Sequence, residues 1–150
     1  MASTVTAATL TVTIQESITL NSRDMGGTTT KAIASIGEVA NRIVSVLTAS
    51  EVELLKFSAA GGRGEFIAAN IKYIRITNLD DTNFVRLRFL RTGGYTADLK
   101  LPAGHSFILT EEDISVHATA GAFSSFNAMT NVNAQAGTAD VDVEYYVASA

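Results

Sequence analysis

Short segments in which apolar and polar residues alternate constrain this chain most, and they are densest from Ile71 to Leu109. Successive side chains of a strand point to opposite faces, so a period of two predicts strands with one buried face. Residues 78–83 (NLDDTN) separate two such segments and predict a β-hairpin. Thr-Gly-Gly at 92–94 and Pro-Ala-Gly at 102–104 predict two further reversals, because Gly accepts positive φ and Pro presets its own.

The same alternation extends towards both ends of the chain. It predicts strands near residues 10–20, 50–57, 114–118 and 141–147, with an irregularity at Leu54-Leu55 in the second of these. The Asn- and Gly-containing segment 21–27 predicts a chain reversal, and residues 110–113 could cap a helical turn. Residues 1–8 are expected to form a mobile N-terminal arm, or a strand that orders on assembly. The small, polar residues 119–138 predict a long loop.

Residues 28–48 support two interpretations. Apolar residues at steps of three and four, from Ile33 to Leu47, indicate an amphipathic helix with a capping box at its start. Against the helix stand a run of three threonines, Gly37 in the middle and a β-branched cluster after it. We favour two strands broken at Gly37 and keep the helix as the alternative.

Length and strand pattern together predict the fold class. The chain has 150 residues, 47% of them hydrophobic, which suffices for one core that buries roughly 70% of the unfolded surface. Eight or nine short strands without a βαβ rhythm predict an all-β, antiparallel β-sandwich of one domain. We expect a jelly-roll-like order, because the strand number fits and the hairpins are unequal in length.

Charge and motif content exclude several functions. The net charge is −4 and no run of Lys or Arg occurs, so nucleic acid is not an expected partner. No apolar run approaches the ~20 residues of a membrane helix, and the N-terminus lacks a secretory signal pattern, so we expect cytoplasmic synthesis and no membrane partner. Cysteine is absent, which removes thiol chemistry and disulfides.

No motif predicts catalysis, a cofactor or a metal. His105 and His117 are the only histidines, and no Gly-x-Ser-x-Gly or phosphate-binding loop is present. The oxygen-rich residues 78–83 could hold calcium, but their spacing does not match an EF-hand loop. We favour a turn in which the Asn and Asp side chains accept hydrogen bonds from their own backbone.

Two charged stripes are candidate contact residues. Asp140, Asp142 and Glu144 share one face of the last strand, and Arg86 and Arg88 share one face of another. Because the two stripes are complementary, pairing across strands or between subunits is possible. A charged outer face is the favoured interpretation, ahead of pairing across an interface. Paired carboxylates for glycoside hydrolysis rank last.

Three apolar residues of the predicted loop are further candidates for protein contacts. Phe123, Phe126 and Met129 stand alone among small residues and could anchor a neighbouring subunit, since aromatic residues often dominate binding energy. A glycan-binding module is the alternative, although the chain has no tryptophan.

Three segments of the chain resemble small structural proteins of tailed bacteriophage virions, particularly those of marine and cyanobacterial phages. They are residues 74–89 (IRITNLDDTNFVRLRF), 99–109 (LKLPAGHSFIL) and 139–148 (ADVDVEYYVA). The resemblance covers roughly the C-terminal half. It implies a virion-located β-sandwich that acts as a capsid decoration or cement protein, or as a tail or neck component. It also implies a homo-oligomer, with a trimer favoured, that contacts other virion proteins such as the major capsid protein.

Overall fold

A computed structural model describes residues 5–94, 96–110 and 129–150. These residues form thirteen β-strands and one turn of 3-10 helix (Ala68–Asn70), and they include no helix long and apolar enough to cross a membrane. The strands are β1 (Ala8–Glu16), β2 (Thr19–Leu20), β3 (Arg23–Asp24), β4 (Gly27–Ile36), β5 (Glu38–Val46), β6 (Val52–Ser58), β7 (Phe66–Ile67), β8 (Ile71–Asn78), β9 (Val85–Arg91), β10 (Thr96–Leu101), β11 (Ser106–Thr110), β12 (Met129–Ala136) and β13 (Val141–Ser149). Thr110, the first residue of the predicted capped turn, ends β11. The rest of that turn, the strand predicted at 114–118 and His117 lie outside the described residues.

Two sheets enclose the main core. Sheet I has the order β11-β8-β13-β5, and sheet II has the order β10-β9-β12-β6-β7; all pairs are antiparallel except β6 with β7. Their inward-facing side chains form one hydrophobic cluster. The cluster includes Val46, Ile74, Ile76, Val143 and Val147 of sheet I and Leu55, Val85, Leu87, Phe89 and Val132 of sheet II. The prediction of an all-β chain with antiparallel sheets is confirmed, and the arrangement is compatible with a β-sandwich.

The hairpin predicted across residues 78–83 is wrong. β8 pairs with β11 and β13 in sheet I, whereas β9 pairs with β10 and β12 in sheet II, so this segment crosses from one sheet to the other. Alternation specifies which face of a strand is buried, and it carries no information about the strand beside it. The reversal at 92–94 does form a hairpin, between β9 and β10, and Pro102 begins the turn that leads to β11.

The loop predicted for residues 119–138 is wrong for residues 129–136. β12 occupies residues 129–136 and lies between β9 and β6 in sheet II. Its inward residues include Ala134 and Ala136, which are small, so the apolar alternation is weak in the sequence although both side chains are buried. Its outward Asn133 and Gln135 make side-chain hydrogen bonds with their neighbours.

Two local predictions are confirmed. Residues 28–48 form two strands interrupted at Gly37, whose N–H donates to the carbonyl oxygen of Ser149 at 2.9 Å. The irregularity at Leu54-Leu55 is a β-bulge, because Leu55 pairs with Val132 while the adjacent Asn133 pairs with Glu53. Both leucines of the bulge are therefore buried.

The N-terminal strands form a long two-stranded ribbon, here called the β-ribbon (residues 8–36). β1 pairs with β4, and the predicted reversal follows at Asn21 and Ser22, which have φ values of 51° and 62°. The base of the ribbon packs on the outer face of sheet I, where Ile33 and Ile36 cluster with Tyr73 and Ala148. Residue 8 of the predicted arm belongs to β1, residues 5–7 are exposed, and residues 1–4 lie outside the described residues.

Candidate functional site

The outer face of sheet II carries an ion-paired polar surface. Arg88 Nε donates to Asp98 Oδ1 at 2.9 Å across the β9–β10 pair, and Arg86 Nη2 donates to Glu51 Oε1 at 2.9 Å. Arg88 also contacts Glu51, and Glu51 accepts a hydrogen bond from Asn133. The two arginines of this face are therefore balanced by the carboxylates of Glu51 and Asp98.

The electrostatics of the Arg88–Asp98 pair follow from its hydrogen bonds. The hydrogen bond from Arg88 lowers the pKa of the Asp98 carboxyl, and the same bond raises the pKa of Arg88. Both side chains are partly solvent-exposed, so the pair is screened and contributes little to stability. The predicted charged outer face is confirmed for the arginine stripe, which pairs across strands within its own sheet.

The acidic stripe does not meet the arginine stripe within one chain. Asp142 and Glu144 belong to β13 of sheet I, where Asp142 is exposed and Glu144 accepts a hydrogen bond from Arg75 Nη2 at 2.8 Å. Asp140 precedes β13 and accepts hydrogen bonds from the backbone and side chain of Thr48. Pairing between the two predicted stripes inside the chain is therefore wrong, because they belong to different sheets.

The predicted loop anchors have different outcomes. Phe123 and Phe126 lie outside the described residues. Met129 begins β12 and is only 3% exposed, so little of its side chain is accessible to a partner. Its side chain packs in the main core instead.

The turn at residues 78–83 is held by its own side chains, as predicted. Asp80 Oδ1 accepts hydrogen bonds from the N–H groups of Thr82 and Asn83, which lower the pKa of Asp80. Asn78 is fully buried; its Nδ2 donates to the carbonyl oxygen of Asn83 at 2.8 Å and its Oδ1 accepts from the N–H of Asp80. These bonds occupy Asn78 Oδ1 and Asp80 Oδ1, two of the side-chain oxygen atoms that a calcium site here would draw on.

Few of the acidic and histidine side chains that acid–base or metal chemistry would use lie together in the described part of the chain. Within residues 5–94, 96–110 and 129–150, no three His, Asp or Glu side chains are grouped to hold a metal ion. His105 is exposed, and its Nδ1 lies 2.8 Å from the carbonyl oxygen of Ala103 in the Pro-Ala-Gly turn. This local contact accounts for the position of the ring.

An open cleft of about 350 Å³ lies between the β-ribbon and the outer face of sheet I, next to the place where the two pack together. On the side of sheet I, Tyr73 and Tyr146 line the cleft. The guanidinium carbon (Cζ) of Arg75 lies 5.9 Å from the centre of the Tyr146 ring. Burial raises the pKa of Tyr73. The ribbon contributes Leu10, Thr11, Val12 and Thr13, and β5 contributes Asn41.

A second surface, missed from the sequence, is apolar and exposed. Every residue from 13 to 32 is exposed, and these residues form the distal ribbon. Of nine exposed large hydrophobic residues in the described part of the chain, eight lie within residues 5–47. They are Val5, Ile14, Ile18, Leu20 and Met25, followed by Val39, Ile43 and Leu47 in and just after β5.

We call the distal ribbon together with the outer side of β5 the apolar flank. The weak continuation of the alternating pattern to Ile18 and Leu20 is the sequence signal that could have located it. That signal predicts a strand with one apolar face, and the structure shows that this face is not covered by the rest of the described chain. The apolar flank and the cleft are the two candidate sites for binding.

Comparisons of the chain with protein-family models, curated proteins and solved structures found no match.

Proposed function

We propose that this chain is a structural component of a bacteriophage virion, where it stabilises the particle as a capsid decoration or cement protein. The observation that carries the proposal is the difference between two parts of the protein surface, one polar and one apolar. Sheet II presents polar residues, with Arg86 and Arg88 paired to nearby carboxylates, while the apolar flank exposes six large hydrophobic residues (Ile14, Ile18, Leu20, Met25, Val39 and Ile43). Exposed apolar surface of this extent is typical of protein–protein interfaces.

The strand order supports the jelly-roll part of the proposal. When the eight strands β5, β6 and β8–β13 are numbered 1 to 8, sheet I has the order 1-8-3-6 and sheet II the order 2-7-4-5. In each sheet, strands of the first half of the chain pair with strands of the second half. Strand 1 pairs with 8 and strand 3 with 6 in sheet I, and strand 2 pairs with 7 and strand 4 with 5 in sheet II. That is the order expected when one long antiparallel ribbon folds into two sheets as a jelly roll.

The net charge favours a position on the outside of the particle. The chain carries −4, and the arginines of sheet II are ion-paired with Glu51 and Asp98. A surface in contact with packaged DNA would need uncompensated positive charge. We therefore favour an outer-surface position, and we keep a tail or neck location as the alternative to the capsid. In either place the chain is expected to form homo-oligomers, with a trimer favoured, and to contact the major capsid protein or another virion protein.

We propose that the protein is not an enzyme and needs no cofactor. The exposed Asp142 and the turn residue His105 are the groups whose substitution tests this most directly. A hydrolytic activity on a polysaccharide that disappears in Asp142→Asn or His105→Ala would overturn the non-enzymatic role.

Localisation in purified particles tests the proposed function. The tagged protein is mixed with empty capsids that lack it and sedimented, and its position is then found by low-resolution electron microscopy. Regularly spaced density on the capsid exterior is the expected result. Protein that stays in the supernatant and is absent from native particles would contradict a virion role.

Glycan binding is a second candidate because of the cleft beneath the β-ribbon. Tyr73, Tyr146, Arg75 and Asn41 combine aromatic and hydrogen-bonding groups, as sugar sites do. Retardation of the protein in affinity electrophoresis with host polysaccharide, reduced by Asn41→Ala, would support this candidate. Unchanged mobility would exclude it for the polysaccharides used.

A further inference from the structure

We infer that the distal ribbon of one chain docks on the β5 edge of a second copy of the same chain. The contact would place Ile14, Ile18 and Leu20 of one copy against Val39 and Ile43 of the other. This inference rests on the proposed function for its place in the particle, and it names the partner and the surface through which copies would join.

The distal ribbon is unsupported in the single chain. Residues 13–32 are all exposed, and a two-stranded ribbon without further packing is at best marginally stable in water. At roughly 3.3 Å per residue, the chain from Val12 to the tip at Asn21 spans about 30 Å. An ordered element of this length gains stability when a second surface covers it.

The apolar face of the β-ribbon packs on sheet I of its own chain near the base and is exposed farther along. Leu10, Val12 and Ile14 alternate along β1, and the first two pack against the outer-face cluster of sheet I, whereas Ile14 is 44% exposed. In the paired register, Ile33 lies opposite Leu10 on the same face and is buried in that cluster. The apolar row therefore begins on sheet I and continues beyond it to Ile14, where Glu16 ends β1. Ile18 and Leu20 follow as exposed apolar residues nearer the tip of the ribbon.

β5 offers an acceptor surface for that row. It is the edge strand of sheet I, and no other strand in the described part of the chain pairs with its outer edge. Natural edge strands usually carry Lys, Pro or a bulge that discourages pairing. β5 contains no Lys or Pro and keeps an uninterrupted register with β13, so its two exposed charged residues, Glu38 and Arg42, are the edge protection it carries. Its outer face exposes Val39 and Ile43.

Charge favours a second copy as the occupant. Residues 5–47 contain three acidic residues (Glu16, Asp24, Glu38) and three basic residues (Arg23, Lys31, Arg42), which gives a net charge of zero. The whole chain has a net charge of −4 and residues 1–4 have no charged side chain, so residues 48–150 carry the entire net negative charge. Two copies can meet through the apolar flank without like-charge repulsion, whereas a strongly basic or acidic partner finds no complementary charge there.

The geometry of this contact is heterologous, since a ribbon on one copy meets an edge on another. Such contacts close into a ring when the rotation between copies allows it, and otherwise continue as an open chain. A closed ring agrees with the trimer proposed above. A single substitution on either partner surface is expected to weaken every contact of the ring.

Crosslinking between single-cysteine variants tests the contact, because the natural chain contains no cysteine. Ile18→Cys and Ile43→Cys proteins are mixed at equal concentration and treated with a bis-maleimide crosslinker, which tolerates a small error in register. We expect a crosslinked heterodimer that is several-fold more abundant than the one from Ile18→Cys mixed with Leu79→Cys. Leu79 is a matched control because it is 47% exposed and lies outside the apolar flank.

Sedimentation of the purified protein provides the second measurement. The natural chain is expected to be oligomeric, Ile43→Asp to be monomeric, and Leu79→Asp to remain oligomeric, with unchanged circular dichroism in both variants. A natural chain that is monomeric at every concentration, or equal crosslinking through Leu79, would overturn the inference. Should that monomer still assemble on capsids, the docking contact fails while the proposed function stands.

Discussion

The ring of Tyr73 meets the ring of Tyr146 edge-on, with centroids 5.9 Å apart and planes inclined by 74°. The two residues lie on neighbouring strands of sheet I and belong to the cluster that the base of the β-ribbon covers. Tyr73 is 6% exposed, so its hydroxyl group is brought into a poorly solvated position. The ribbon therefore makes the outer face of a sheet into a second, smaller core.

Burial of Tyr73 predicts a loss of stability at alkaline pH. Burial raises the pKa of Tyr73 above its ordinary value, so the unfolded chain loses this proton first as the pH rises through about 10. The contribution of the protonated Tyr73 to the free energy of unfolding is fully present below that pH. It is lost as the pH rises towards the higher pKa that Tyr73 has in the folded state. Urea unfolding at pH 7 and pH 11 should show a smaller alkaline loss for Tyr73→Phe than for the natural chain. Equal losses would refute this assignment.

Asn78 is expected to be the most sensitive polar residue of the fold. Its Nδ2 donates to the carbonyl oxygens of Asn83 and Leu101, and its backbone N–H donates to His105 O at 3.0 Å. Replacement by Ala leaves buried carbonyl groups without these donors, which costs about 1–3 kcal/mol for each unsatisfied group. We expect Asn78→Ala to lower the free energy of unfolding by about 2–4 kcal/mol in urea titrations.

The control for that prediction is Asn83→Ala. The Asn83 side chain makes one longer hydrogen bond, to Asp80 at 3.3 Å, in a partly exposed turn. Its loss should cost less than about 1 kcal/mol. Similar costs for the two variants would show that Asn78 has no special role at the crossover.

Sequence pattern predicted the strands well where the buried side chains are large. Ile74, Ile76, Val85, Leu87 and Phe89 alternate with polar residues, and each is buried as expected. β12 was missed because alanine marks a buried position only weakly. The partners of β8 and β9 were also missed, since the contacts that separate them come from strands more than twenty residues away in the chain, such as β12 and β13.

The candidate site was less predictable than the fold. The sequence singled out charged and aromatic residues as contacts, but Arg86 and Arg88 are paired within sheet II and Met129 is buried. Ile18 and Ile43 are ordinary strand residues by sequence, and only the tertiary arrangement shows that they remain uncovered. A periodic pattern identifies an apolar face without specifying whether the same chain covers it.

The Arg88–Asp98 pair predicts a small effect on stability. Its two hydrogen bonds are well formed, at 2.9 and 3.2 Å, but both side chains are partly exposed. Arg88→Ala should therefore lower the thermal midpoint only slightly, and by less at 1 M NaCl than at low salt. Thermal unfolding at both salt concentrations measures this. A cost that salt leaves unchanged would indicate that packing of the arginine stem dominates.

Removal of residues 1–8 is expected to weaken assembly while the isolated fold persists. Within residues 5–8, the part of this segment that the structure describes, only Ala8 belongs to a strand, where it pairs with Ile36 at the end of the ribbon. Circular dichroism and the thermal midpoint of the truncated chain should stay close to those of the full chain. Incorporation into particles should fall, and unchanged incorporation would remove these residues from the assembly contacts.

Close packing of Gly137 against Phe84 predicts a strongly coupled pair. The Gly137 N–H donates to the carbonyl oxygen of Phe84 at 3.1 Å, and a Cβ atom at Gly137 would overlap the Phe84 ring. The ring is also held from another side, since Lys100 Nζ lies 4.4 Å from its centre. Gly137→Ala should therefore cost about 1–3 kcal/mol, because the ring must leave its position.

A double-mutant cycle separates this overlap from a backbone effect of the substitution. In the Phe84→Ala background the ring is absent, so adding Gly137→Ala should cost less than about 0.5 kcal/mol. Urea unfolding of the four proteins gives the coupling free energy between the two positions. If Gly137→Ala costs the same in both backgrounds, the requirement for glycine comes from the backbone and the Phe84 ring does not cause it.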